Sequence, residues 1–239
     1  MSVSRSRSIW AGLLGLMILF LAVTPHVLAR AGAQTGNPAW GVVPSPNGGY
    51  HPVNKLVDVE VLSGTDVWAA GYWGTFSYPA EPEPMIQHWD GTQWMMESLP
   101  AGTPGGNLWG ISASATDNVW AVGGSGASSG AIVLRWDGSE WTYLPPLQPY
   151  DWHWLYDVKA FAPDDVWVVG SAHLNYDYQA FNIHWNGASW TDYSLAPSAL
   201  NDELKAIDGN APDNVWAVGD GALSGQFESR IVHWDGNEW

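Results

Sequence analysis

The stretch L-K-A-I-D-G-N-A-P-D-N-V-W-A-V-G-D-G-A-L-S-G-Q-F-E-S-R-I-V-H-W-D-G-N-E-W, Leu204–Trp239, is one of four copies of a single unit. Its first half, N-V-W-A-V-G at Asn214–Gly219, recurs as D-V-W-A-A-G (Asp66–Gly71), N-V-W-A-V-G (Asn118–Gly123) and D-V-W-V-V-G (Asp165–Gly170). Its second half, H-W-D-G-N-E-W at His233–Trp239, recurs at His88–Trp94, Arg135–Trp141 and His184–Trp190. Leu56, Leu108, Leu155 and Leu204 each stand 12 residues before the central Trp68, Trp120, Trp167 and Trp216. The closing tryptophans, Trp94, Trp141, Trp190 and Trp239, are 47, 49 and 49 residues apart. A fixed period of this size marks a repeat architecture.

Within the second unit, Leu108–Ala113 alternates and Ala115–Asn118 is a turn cluster. Val119–Val122 is a short apolar run, and Ala131–Trp136 is another. Asp137-Gly138 is a hairpin signal, and Trp141–Leu144 is a fourth strand stopped by Pro145. Four short strands in about fifty residues, without helical periodicity, predict a β-propeller of four-stranded antiparallel blades. The V-W-A-V runs are apolar on both faces, as a strand sandwiched between blades must be. Val59, Ile111, Val158 and Ile207 align on the innermost strand. The two tryptophans of W-D-G-x-x-W fall on one face if a two- or four-residue loop joins their strands. Blades are expected at about 54–100, 106–146, 153–197 and 201–239. Trp40–Pro44 resembles a unit's closing strand, so residues 40–44 are expected to close a ring, either of four blades or of a longer propeller with six to eight.

Residues 1–33 read as a signal peptide. Arg5 and Arg7 precede the apolar run Ile9–Val23, which is shorter than the roughly 20 residues of a membrane span, and Ala29–Ala33 offers small-residue cleavage sites. The expected mature chain, 34–239, is secreted or held at the cell surface, with no membrane span. There is no cysteine, hence neither a disulfide nor a lipid attachment. Removing Arg5, Arg7 and Arg30 leaves five basic residues against 24 acidic ones, a net charge near −19. That balance excludes nucleic acid, which requires a basic footprint, and disfavours polyanionic partners.

The paired D/N-V-W-A-V-G and W-D-G-x-x-W motifs resemble those of secreted bacterial β-propeller repeat proteins, loosely akin to kelch and galactose-oxidase propellers and to BNR/Asp-box proteins. The resemblance spans Trp40–Trp239 and implies the fold more than any activity. Sialidases of that architecture hold their substrate with three arginines, whereas the mature chain has only Arg135 and Arg230. Galactose-oxidase chemistry implies a copper site with a Cys–Tyr crosslink, for which no cysteine exists.

His88, His184 and His233 share one position in three units and invite a metal reading. Equivalent outer positions of different blades lie too far apart for ligation at about 2 Å, so these histidines are expected to be framework residues covering the tryptophans. Asp66, Asn118, Asp165 and Asn214 are read as turn residues. The expected binding face gathers the loop Tyr150, Asp151, Trp152, His153 and Trp154 with Trp73, Trp109, His173, Tyr176 and Asp177. Aromatic rings flanked by carboxylates suit a neutral glycan or a protein surface as ligand. The bland alternative is that Trp152 or Trp154 plugs a blade junction. No cofactor is expected; His173-x-Asn175-x-Asp177 alternates side chains that could bind calcium but lacks the glycine and glutamate of a calcium loop. A non-catalytic exported binding module is the leading reading. Its rivals are a glycoside hydrolase or lyase, with Asp58 and Asp157 on the channel among the available acids, and a structural spacer.

Overall fold

The computed structural model describes residues 41–49, 53–75, 81–125, 130–144, 152–174, 177–193, 200–223 and 226–239. Fifteen antiparallel strands and no helix lie among them, so none of the described residues forms a helix able to cross a membrane. Blade 1 orders β1 (Val53–Ser63), β2 (Asp66–Gly74), β3 (Glu83–Trp89) and β4 (Trp94–Met96) side by side. Blade 2 repeats this with β5 (Asn107–Ala115), β6 (Asn118–Gly124), β7 (Ala131–Trp136) and β8 (Trp141–Tyr143). Blade 3 comprises β9 (Trp152–Ala162), β10 (Asp165–Leu174), β11 (Asp177–Trp185) and β12 (Trp190–Asp192). Blade 4 has three strands, β13 (Leu200–Ala211), β14 (Asn214–Leu223) and β15 (Gln226–Trp234). The fold is a β-propeller, each blade a separate sheet packed against the next.

The packing explains the doubly apolar V-W-A-V runs. Every residue of β6 is buried, because blade 1 covers one of its faces and blade 3 the other. Trp68, Ala70 and Ile86 of blade 1 pack against Leu108, Ile111 and Trp141 of blade 2. Trp120, Val122 and Val133 of blade 2 meet Leu155, Val158 and Trp190 of blade 3 in the same way. Trp167 and Val169 of blade 3 meet Leu204, Ile207 and Trp234 of blade 4. The registered leucines are therefore the inner keystones, at 0–1% exposure in blades 2 to 4.

The outer seam is built from tryptophan. In W-D-G-x-x-W the two indoles are cross-strand partners: Trp89 faces Trp94, Trp136 faces Trp141 and Trp185 faces Trp190. The loop has four residues. Its aspartate Oδ1 accepts the backbone N–H groups two and three residues on, as Asp137 does from Ser139 (2.9 Å) and Glu140 (3.0 Å). The following glycine takes φ of +91° to +95° in all four copies (Gly91, Gly138, Gly187, Gly236), a left-handed value that an L side chain resists. Each loop thereby sets a pair of rings on one face. The pair clasps the central tryptophan of the preceding blade, with centroids 5.6 and 5.6 Å from Trp68, 5.9 and 5.9 Å from Trp120, and 5.0 and 5.3 Å from Trp167.

Two expectations change. Residues 41–44 carry no strand, and Val43 is 54% exposed. Pro44 and Pro46 lack the N–H that a ladder needs, and the Pro46 carbonyl instead accepts Gln87 Nε2 at 2.6 Å. The ring-closing strand expected at 40–44 is thus not formed by its described residues. Asp66, Asn118, Asp165 and Asn214 are strand residues that begin β2, β6, β10 and β14 rather than turn residues. The turns fall just before them, and their side chains have a different task.

Candidate functional site

That task is to brace the central tryptophan, through the histidine that lies over it or through its own indole N–H. His88 stacks on Trp68 with centroids 3.9 Å apart and 12° between planes, and its Nε2 donates to Asp66 Oδ1 at 2.9 Å. His184 covers Trp167 and bonds Asp165 at 2.7 Å. His233 stacks on Trp216 and bonds Asn214 Oδ1 (2.8 Å), which also accepts the Trp216 indole N–H (3.0 Å). In blade 2 the Arg135 guanidinium lies 5.3 Å from the Trp120 ring, while Asn118 accepts the indole N–H at 3.0 Å. The three histidines are thus framework residues. Among the described residues no three His, Asp or Glu side chains converge as metal ligands.

Asp58 and Asp157, candidates for carboxylate chemistry on the channel, are structural hooks. One oxygen of Asp58 accepts the next N–H along its strand, from Val59 (2.8 Å), and the other crosses to blade 2 to accept from Ile111 (2.8 Å). Asp157 repeats this with Val158 and, in blade 4, Ile207, each at 2.8 Å. Burial is the larger influence on Asp157 and pushes its pKa up to about 6, against the pull of these two bonds. Both oxygens are committed to backbone, which explains the carboxylates without a catalytic role.

The sequence-selected face divides. Trp109 of blade 2 and Trp154 of blade 3 lie against the same glycine: a Cβ at Gly124 would stand 2.8 Å from the Trp154 ring and 3.3 Å from that of Trp109. Only glycine permits this approach. Tyr156 packs 5.5 Å from Trp109, and Tyr178 stacks on Trp154 at 5.4 Å and 24°. His173 meets Tyr178 edge-on at 5.3 Å. Trp109, Trp154 and His173 therefore belong to one aromatic cluster across the blade 2–3 junction, and its rings are partly buried. Ser171 Oγ donates to the Tyr156 hydroxyl at 3.3 Å, and burial raises the pKa of that phenol. Glu203 and Lys205 of blade 4 lie close enough to Tyr156 to affect its ionisation. Lys205 pairs with Glu203 (2.8 Å) and Asp220 (3.1 Å), and those hydrogen bonds raise its pKa.

Other selected residues fall elsewhere. His153 points into blade 3, 4% exposed and 4.8 Å from the Phe181 ring, and desolvation lowers its pKa to about 4. It is a core residue rather than a surface ligand group, because the residues of a strand alternate sides and Trp154 takes the other one. Trp73 lines a separate cleft of blade 1 with Gly48, Glu83, Met96 and Leu99. Tyr150, Asp151 and Tyr176 lie outside the described residues, as does Asn175 of the calcium-like stretch. Trp152 and Asp177 are placed only by backbone, opposite His173 and Leu174. Sequence reading omitted Tyr156, Glu203 and Lys205 from the site. The Trp154-Leu155-Tyr156 alternation was the available signal for Tyr156.

No family model matches the chain, and no curated protein does. Among solved structures, YCF48 bound to D1 peptide aligns with a TM-score of 0.40 and 16% identity, covering 84% of this chain and 72% of that one. The fucose-specific lectin from Aleuria aurantia aligns at 0.47 and 12%, covering 72% and 58%. A fucose lectin from Kordia zhangzhouensis in complex with methyl-fucoside aligns at 0.38 and 12%, covering 59% and 100%. The chain spans 58% of the Aleuria lectin's length. These likenesses are likenesses of fold: repeated antiparallel blades set face to face.

Proposed function

We propose that the chain is an exported binding module that takes a neutral glycan on the face where blades 2 and 3 meet. The observation that supports this most is the pairing of Trp109 and Trp154 across Gly124, extended by Tyr156 and Tyr178. Rings held by the framework present flat apolar area at little cost in side-chain ordering, and the CH faces of a sugar ring stack on such area. The Glu203–Lys205–Asp220 group beside Tyr156 offers acceptors and a donor to hydroxyls. Residues 1–33 serve as the export signal in this reading.

A glycan array tests it. Binding is expected for the parent chain and is expected to drop at least tenfold in Trp154→Ala and in Tyr178→Ala, with thermal unfolding retained. No binding from a folded sample, or binding that both variants leave intact, sinks the glycan reading. In that event a protein surface is the remaining ligand for the same face.

A further inference from the structure

Blade 1 departs from the repeat at three positions on one face. His88 of β3 is the cross-strand partner of Met95 of β4, so their side chains share a side, with Cβ atoms about 4.5–5.5 Å apart. Glu97 follows two residues on and returns to that side. The same positions hold Arg135, Thr142 and Leu144 in blade 2, and His184, Thr191 and Tyr193 in blade 3. Those blades pack without an imidazole, a thioether and a carboxylate together, so the repeat itself does not call for the three.

The local chemistry gives them a use. Ionised Asp66 can only accept, so His88 Nε2 donates to it, at 2.9 Å. In the neutral ring the lone pair then stands on Nδ1. That nitrogen faces Glu97 Oε1 across 4.0 Å, too far for a hydrogen bond. The Glu97 carboxylate accepts no hydrogen bond among the described residues, and burial raises its pKa. Two electron-pair donors are thus opposed at a distance that suits a shared cation. First-row ions bond imidazole nitrogen and carboxylate oxygen at about 2.0–2.2 Å each, so one ion between the two atoms reaches both.

We propose that His88 Nδ1, Glu97 and Met95 bind one copper ion, in its cuprous state. A thioether selects soft cuprous copper, and imidazole suits copper as well. The wide nitrogen–oxygen gap gives a nearly straight N–Cu–O arrangement with sulfur at its side, a low coordination number that the cuprous ion accepts. Met95 is 39% exposed and its side chain has three rotatable bonds, so the sulfur can close on the ion. The ring is already oriented: Asp66 holds its other N–H, and Trp68 stacks on it at 3.9 Å. The framework role of His88 uses its face and Nε2; the copper role uses Nδ1. Met95 and Glu97 line an outer cleft of about 490 Å³ with Trp136, Glu140 and Trp141 of blade 2, which gives the ion an entry. Only two of the ligands are imidazole or carboxylate, in keeping with the lack of any three-membered His, Asp or Glu cluster among the described residues.

The test is competition of the full chain, reduced with ascorbate, against a chromophoric cuprous chelator. One equivalent of copper per chain is expected. Loss of a group that merely orients a metal ligand costs 10–100-fold in affinity, so Glu97→Gln and Met95→Leu should each weaken binding by roughly tenfold or more. Neither substitution removes a member of the His88–Trp68 stack, and thermal unfolding of the metal-free variants should match that of the parent. X-ray absorption at the copper edge should show one sulfur neighbour in the parent and none in Met95→Leu. A parent chain that takes up no copper overturns the proposal and leaves the gap to a proton on Nδ1. Copper retained at parent affinity by either variant, or zinc held as tightly as cuprous copper, overturns it too.

Discussion

Asn118–Gly123 and Asn214–Gly219 are the same six residues, N-V-W-A-V-G, in the same strand position. Trp120 is fully buried and Trp216 is half exposed. Each indole donates to its own asparagine at 3.0 Å, and each lies beneath a cation or an imidazole. The strand and its indole–asparagine bond are therefore formed alike in both. What differs is the next blade. In this fold the strand is specified within the unit and the core between units, so a hexapeptide carries its conformation with it but not its burial.

The largest effect separates the two tryptophans directly. Trp120→Ala is expected to cost about 3–5 kcal/mol, as large core truncations do, and Trp216→Ala under about 1 kcal/mol, as exposed substitutions do. Urea midpoints read both, and equal costs would break the comparison. Next come the titrating groups sealed inside the junctions. The folded-state pKa of Asp157 is raised to about 6 from 3.8, so its contribution is fully present below about pH 4 and is lost as pH rises through 6. Asp157→Asn lowers the baseline by leaving an N–H without its acceptor, and removes a pH 4–6 slope on the order of 3 kcal/mol.

His153 has the opposite sign. Its pKa falls to about 4 from 6.5, so its contribution is present above pH 6.5 and is lost as pH falls towards 4. His153→Leu should abolish an acid loss of similar order, so that this variant's midpoint rises as pH falls from 6.5 to 4, the Asp157 dependence then standing unopposed. The two groups largely mask one another in the parent, so each single variant shows a steeper net dependence than the parent does. The smallest effect is expected at the rim. Asp137→Asn should leave the urea midpoint unchanged within error, because Asn186 already builds the same loop in blade 3, accepting from Ala188 and Ser189 at 3.0 and 2.9 Å.

Sequence reading succeeded where the cause of structure is local. The W-D-G-x-x-W loop needs only its aspartate, its glycine and two tryptophans a fixed distance apart, so the paired indoles were legible. The histidines could be read as framework because they recur with the repeat. It failed where the partner is distant. Asp58 and Asp157 looked like channel acids because the N–H groups they accept from, on Ile111 and Ile207, lie 53 and 50 residues away. His153 was selected with its neighbours because the run W-H-W does not say which member turns inward. Trp73 was grouped with the aromatic face because it opens the connection between the second and third strands, yet it lines a separate cleft. Asp66 and its equivalents were read from turn preference, whereas the turns end just before them and their side chains bond the histidine or the indole of the tryptophan stack.

The rim loops also govern how the particle meets other particles in acid. Asp90 and Asp235 have lowered pKa values and Asp137 is held near 2, because loop N–H groups, with hydroxyls at Asp90 and Asp137, stabilise the charged form. The chain's isoelectric point is about 4.4, where most surface carboxylates are losing charge and colloidal repulsion fades. These loops border three of the four tryptophan pairs with anions that persist below that pH, so those pairs keep charge beside them under the conditions most favourable to precipitation.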